Sequence, residues 1–214
     1  NRADKSWRRI YASNLHALGL LNEAQFSYTG YQYETSSNNE EDLQAWLDNV
    51  DLDNQTEIYS SFSMQIPFKC DSLTDAQHND HKLVQSTHHL DSYWNFIVET
   101  HFDQDTCFLT EKTFKCILNL QPFIVVGSAG SLKLLHHLGY KTFSDIINER
   151  YDDEKDPYQR MTELIHLSYS IADRGHKDQR IMTKIMTPIL KYNQTKFLAP
   201  KTGRIMNLLN KLEY

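Results

Sequence analysis

Glu99 and the run Thr110-Glu111-Lys112 are the residues whose types and spacing best suit ligand chemistry. Thr110 is a helix-capping residue type just ahead of an apolar-periodic run, so this trio is expected at a helix start. A helix N-terminus offers N–H groups and the positive end of a dipole, which favour phosphate. Lys112 adds a mobile cation. Glu111 only accepts hydrogen bonds, which suits a pair of sugar hydroxyls such as a ribose diol. An acceptor beside a cation therefore matches the two halves of a nucleotide. The same residues also fit an ordinary capped helix with an acid in its first turn, and by themselves they leave both readings open.

The elements that must position them lie in residues 93–140, which read as strand, loop, helix, strand, turn, helix. Residues 93–99 alternate and are rich in aromatic and β-branched types, as a strand requires. Thr113, Phe114, Ile117, Leu118 and Leu120 give the following helix an apolar side, and Pro122 stops it. The continuous apolar run Phe-Ile-Val-Val at 123–126 predicts a parallel strand covered on both faces. Gly127, Ser128, Ala129 and Gly130 predict a tight turn, and 131–138 a second helix closed by Gly139. This β-α-β-α order predicts an α/β fold with a Rossmann-like, doubly wound, mainly parallel sheet. In such a sheet Glu99, at a strand end, and Thr110, at a helix start, both face the crevice beyond the carboxyl ends of the strands.

The string FLTEKTFK at 108–115, followed by QPFIVVGSAGSLKLLHHLGYKTF at 121–143, resembles the nucleotide-sugar-binding half of GT-B glycosyltransferases. It is most similar to a group of viral and bacterial glycosyltransferase-like proteins with a TEKTFK…PF motif. More distantly it resembles the α-1,3-fucosyltransferases, whose motif combines a Glu, a short gap, TEK and a later PV strand. The resemblance is strong over 96–143, weaker over 1–28 and absent over 35–88. It implies that Glu111 and Lys112 contact the donor's ribose and diphosphate, and it matches Glu99, with Thr100 beside it, to an earlier family acid. A family segment of the form ER/ES-Y-D near the nucleotide corresponds to the stretch around Tyr151 and Asp152. There Tyr151 would pack on a base and Asp152 would reach a hydroxyl.

The opening NRADKSWRR is basic and runs into a helix with Ile10, Leu15, Leu18 and Leu21 as apolar positions. In the resembling group a strand ends at an Asn-Arg pair and another Arg begins the helix, positions held here by Arg2 and Arg8. The fucosyltransferases place an Arg at a comparable helix start against the donor diphosphate. Arg suits that role because its planar fork binds phosphate oxygens bidentately. Arg9 is the neighbouring alternative, and Lys5 stands where the pattern calls for another Arg. Without the resemblance, these are ordinary basic residues on a surface helix.

The rest of the chain mostly sets limits. Its 214 residues suffice for one sizeable domain or two small ones, and 40% hydrophobic with 23% charged residues is ordinary globular composition. A net charge of −6 argues against a broad nucleic-acid surface, and no apolar run approaches the ~20 residues of a membrane span. Cys70, Cys107 and Cys116 are odd in number and lack metal spacing, which points to free thiols in a reducing compartment, the cytoplasm (a host's, if the chain is viral). Asp51-Leu52-Asp53 and Asp103-Gln104-Asp105 match the D-x-D pattern of metal-bound diphosphate sites, but short acidic pairs arise by chance. No metal and no cofactor is expected. His101, two residues past Glu99, is expected at the crevice mouth. Residues 25–33 and 59–68 read as strand or extended, 42–50 as a short helix, 71–89 as a polar loop, and 141–143 as a short strand. Residues 156–174, 178–191 and 203–212 make a helical C-terminus.

The expectation is one nucleotide-sugar-binding α/β domain over 1–214, the N-terminal acceptor domain of the full enzyme type lying outside it. The reaction would transfer a sugar from a nucleoside diphosphate to an acceptor hydroxyl, with Arg8, Lys112 and the helix start at Thr110 stabilising the leaving diphosphate without a metal. Two other readings stay open: a nucleotide-binding module without transfer, and a Rossmann-like interaction domain in which Glu111 and Lys112 merely cap a helix.

Overall fold

The structure is a computed structural model that describes residues 5–22, 24–28, 40–68 and 91–199. Among these it is a mixed α/β protein with seven α-helices and a two-stranded parallel sheet. Arg2, Cys70, the predicted loop at 71–89 and the predicted helix at 203–212 lie outside the described residues.

The sheet is built from β1 (Asn95–Val98) and β2 (Phe123–Val126), paired in parallel from Asn95↔Phe123 to Val98↔Val126. All four residues of β2 are buried, as the unbroken apolar run predicted. Between the strands runs α4 (Glu111–Leu118), and after β2 comes α5 (Ser131–His137). The β-α-β-α order is therefore present, with β1 shorter than the predicted 93–99.

Both helices end in the same way. After α5, Gly139 takes φ 82° and donates to His136 O, while Tyr140 N donates to Leu135 O. After α4, Leu120 takes φ 55° and donates to Ile117 O, while Gln121 N donates to Cys116 O. These are paired C-terminal closures that require a left-handed residue. Glycine adopts it freely at 139; leucine adopts it at a cost at 120.

α1 (Ser6–Ala17) is the most enclosed helix, with Trp7, Arg8, Ile10, Tyr11 and Leu15 among its buried residues. It packs against α3 (Gln55–Ser63) and α6 (Pro157–Ala172). Reciprocal amide bonds between Asn14 and Gln55, 2.8 and 2.9 Å, fix the first contact, and Tyr11 Oη with Ser168 Oγ, 2.7 Å, the second. α2 (Glu40–Asn49) opens with Glu40, Glu41 and Asp42, favourable at a helix start, and buries Trp46 against Phe102 and Tyr158. α6 begins at Pro157, with Asp156 Oδ1 accepting from Tyr158 N and Gln159 N. α7 (His176–Leu198) crosses the back of α4, where Gln194 Nε2 donates to Leu118 O at 2.6 Å.

Two expectations are corrected. The aromatic run expected to be extended over 59–68 is helical as far as Ser63. Ile58 and Phe62 lie four residues apart on one helix face, and Phe62 packs on Phe68 and Tyr28. Extended pairing survives only as the Tyr28↔Phe68 bridge; residues 29–33 lie outside the described ones. Residues 141–143 form no strand. The Asn193 side-chain amide on α7 takes the place of a neighbouring strand, accepting from Lys141 N and donating to Lys141 O, both at 2.8 Å. That arrangement satisfies the N–H and C=O of one residue, and a ladder goes no further.

Candidate functional site

β1 runs directly into Glu99, which is 0% exposed. Its carboxyl group faces the first turn of α4. Oε1 accepts from Thr110 N at 3.0 Å and Thr113 Oγ1 at 2.9 Å, and Oε2 accepts from Thr110 Oγ1 at 2.6 Å. Thr110 in turn caps α4 by accepting from Lys112 N at 3.4 Å. Thr110 is thus the predicted cap, while Glu99 is turned inward and pins α4 to β1. A carboxylate at this helix start already answers the dipole.

Cations gather on the backbone beside it. Lys112 Nζ donates to Val98 O at 2.8 Å, Arg8 Nη2 to Glu99 O at 2.7 Å, and Lys5 Nζ to Thr100 O at 3.0 Å. Three consecutive carbonyls at the carboxyl end of β1 therefore each receive a charged donor. Two of these donors arrive from α1 and the residue just before it, more than ninety residues away in sequence. Burial is the main cause that loosens the Lys112 proton; Glu99 pulls the other way and Arg8 adds to the loosening. Lys5 follows the same pattern, burial first and Arg8 next, with Asp103 opposing. Cations that weaken one another's protonation mark a place where an added anion is favourable. Glu111, half-buried, opens α4 next to Lys112.

The second helix start beyond the sheet is occupied from within. Asp152 accepts from Leu132 N at 2.8 Å and Lys133 N at 3.1 Å, and its carbonyl accepts from Gly130 N. Burial raises the Asp152 carboxyl's proton affinity, and those two N–H groups oppose the rise. Tyr151, expected against a base, is 3% exposed and lies in the core, and burial raises its phenol well above the ordinary range. The turn before α5 is closely packed. A Cβ added at Gly127 would lie 3.2 Å from Ser131 Oγ and 3.4 Å from Glu99 Cβ.

The structure brings Arg8, Glu99, Thr110 and Lys112 together, with Glu111 adjoining. Tyr151 and Asp152 belong to the other helix start. His101 contacts Thr106 Oγ1 at 3.3 Å and the Phe108 ring. Arg9 donates to Tyr59 Oη instead of joining Arg8. Among the described residues no group of three or more His, Cys, Asp or Glu is placed to hold a metal ion, and no helix is long and apolar enough to cross a membrane.

Sequence reasoning missed Arg160, buried on α6. It donates through Nε to Gly127 O at 3.2 Å, through Nη1 to Glu154 O and Lys155 O at 2.7 and 3.2 Å, and through Nη2 to Phe102 O. The one sequence signal was an Arg inside an amphipathic apolar repeat, where a charge needs several acceptors. Comparison of the chain with protein-family models, curated proteins and solved structures finds no match to any of them.

Proposed function

We propose that this chain is the donor-binding part of a nucleotide-sugar-dependent glycosyltransferase of the GT-B type, its two parallel strands belonging to a doubly wound sheet. The observation that carries the reading is the set of three cations, Lys5, Arg8 and Lys112, on consecutive carbonyls beyond β1. A departing nucleoside diphosphate gathers negative charge as the sugar–oxygen bond breaks, and preorganised cations stabilise that charge without reorganising. Arg8 and Lys112 would meet phosphate oxygens. Glu111 would accept from ribose hydroxyls, because neighbouring helical residues point about 100° apart and can address different parts of one ligand. Glu99 would keep Thr110 and α4 in register with these groups. Transfer also needs a base for the acceptor hydroxyl. Both Glu99 oxygens are engaged by α4, which favours a second reading as a nucleotide-binding module without transfer.

A calorimetric and thermal-shift screen with UDP, GDP, CMP and TDP sugars tests the reading. A ligand at 100-fold over its Kd raises stability by about 2.7 kcal/mol. Glu111→Gln is expected to weaken ribose nucleotides and spare 2′,3′-dideoxy analogues. Absence of any nucleotide effect on the full chain would remove the proposal, and binding without turnover on any acceptor would leave the module.

A further inference from the structure

We propose that Trp7 and Phe102, backed by Arg160, form a positioning stack that holds the Arg8 guanidinium at the carboxyl end of β1. The inference rests on the reading of Arg8 as a phosphate-binding group and adds three residues that hold it in place. Arg160 is the fixed end. Its planar fork is held by carbonyls from three stretches of chain, Phe102, Gly127 and Glu154 with Lys155, so it has little rotamer freedom. Its Cζ lies 4.6 Å from the centroid of the Phe102 ring. Phe102, 0% exposed, stacks on Trp7 at 5.1 Å with 21° between ring planes. Arg8 Cζ lies 4.9 Å from the Trp7 ring, and Arg8 Nη2 donates to Glu99 O.

A cation is attracted to an aromatic face, most strongly to indole and most strongly when desolvated. An unsupported Arg would sacrifice rotamer entropy each time it closed on a phosphate. Resting on rings that are themselves clamped, Arg8 meets the ligand already ordered. The buried Trp7 Nε1 has no hydrogen-bond partner among the described residues, so the indole acts here through its face. Any flat aromatic ring at position 7 should therefore serve, and an aliphatic side chain should not.

The experiment uses the full chain with two readouts. One is the order of the Arg8 Nε–Hε group by NMR without ligand; the other is calorimetric affinity for inorganic pyrophosphate, with circular dichroism checking the fold. Trp7→Leu and Phe102→Leu are expected to release the Arg8 side chain and to weaken pyrophosphate about fivefold, while Trp7→Phe keeps both properties. In an Arg8→Ala background the same replacements should change affinity by less than about twofold, because their effect runs through Arg8. Arg8 as ordered in Trp7→Leu as in the unaltered chain would overturn the stack. So would equal losses of affinity with and without Arg8, the mark of a general structural effect. If Phe102→Leu fails to fold, the Trp7→Leu and Trp7→Phe pair decides alone. Pyrophosphate binding unchanged by Arg8→Ala would instead overturn the phosphate reading of Arg8, and its positioning with it, even where the NMR shows the side chain released.

Discussion

Glu99→Gln separates a pin from a ligand contact. Glu99 is fully buried, and its three hydrogen bonds measure 3.0, 2.9 and 2.6 Å. A glutamine of the same shape keeps one acceptor for Thr110 N and Thr113 Oγ1. It turns the third contact around, so that its amide donates to Thr110 Oγ1. Bonds to a charged partner contribute about 1.5–3 kcal/mol and neutral ones about 0.5–1.5, so losing the charge across three bonds costs about 3 kcal/mol. Relief of a buried charge offsets part of this, leaving a net loss of about 1–2 kcal/mol. In a chain of this size that lowers Tm by roughly 2–8 °C. Glu99→Ala leaves three donors unsatisfied and opens a cavity, and it should cost about 3–5 kcal/mol. Calorimetric melting of all three proteins gives the stability order, and titration with GDP and UDP gives the affinities. A pin predicts that affinity falls in step with the fraying of α4, seen as faster hydrogen exchange at Thr110 and Lys112. Unchanged Tm with abolished nucleotide binding would refute the argument and make Glu99 a direct ligand contact.

Three further outcomes are expected. Burial lowers the Lys112 pKa below its ordinary 10.5, so the unfolded chain binds that proton more tightly than the folded one. Lys112 therefore costs stability in full below its folded pKa, and the cost fades as pH rises from that pKa towards 10.5, above which it is gone; Lys112→Met should be no less stable at pH 7, with its advantage shrinking over that window, while diphosphate binding is lost. Urea titrations at pH 7 and pH 10 check the sign, and a clear destabilisation at pH 7 would contradict it. Asn193→Leu removes both bonds to the partly buried Lys141 backbone, so a loss of about 1–3 kcal/mol and rapid exchange of the Lys141 amide are expected. Leu120→Gly relieves the left-handed residue after α4 and should stabilise by about 1 kcal/mol in chemical denaturation, with loss of stability arguing that the Leu120 side chain matters more than its φ of 55°.

The features legible in the amino-acid sequence are those settled within about four residues of chain. Thr110 is a cap because its side chain reaches an N–H two residues on, and Gly139 closes α5 by backbone freedom alone. The 123–126 run is apolar without alternation and could only be a covered strand or a buried helix segment; its length and β-branched residues decided for the strand. Asp156 before Pro157 marks the start of α6 in the same local way. Place at a helix start singled out Lys112, whereas resemblance, rather than pattern, singled out Arg8 among twenty-two Lys and Arg residues.

What only the tertiary structure decided are contacts between residues far apart in sequence. Glu99 could have faced a ligand or the protein, and the return of α4 to β1 placed Thr110 and Thr113 against it. Asp152 could have reached a ligand hydroxyl, but the first turn of α5 presented its N–H groups first. Lys5 reads as a lost arginine until α1 lies beside β1, where it takes its own carbonyl at Thr100. Nothing local named the partners of Arg160 and Asn193, because each satisfies peptide groups brought near by packing. Buried polar groups must find partners, and which partners are within reach depends on how the helices are stacked on the sheet.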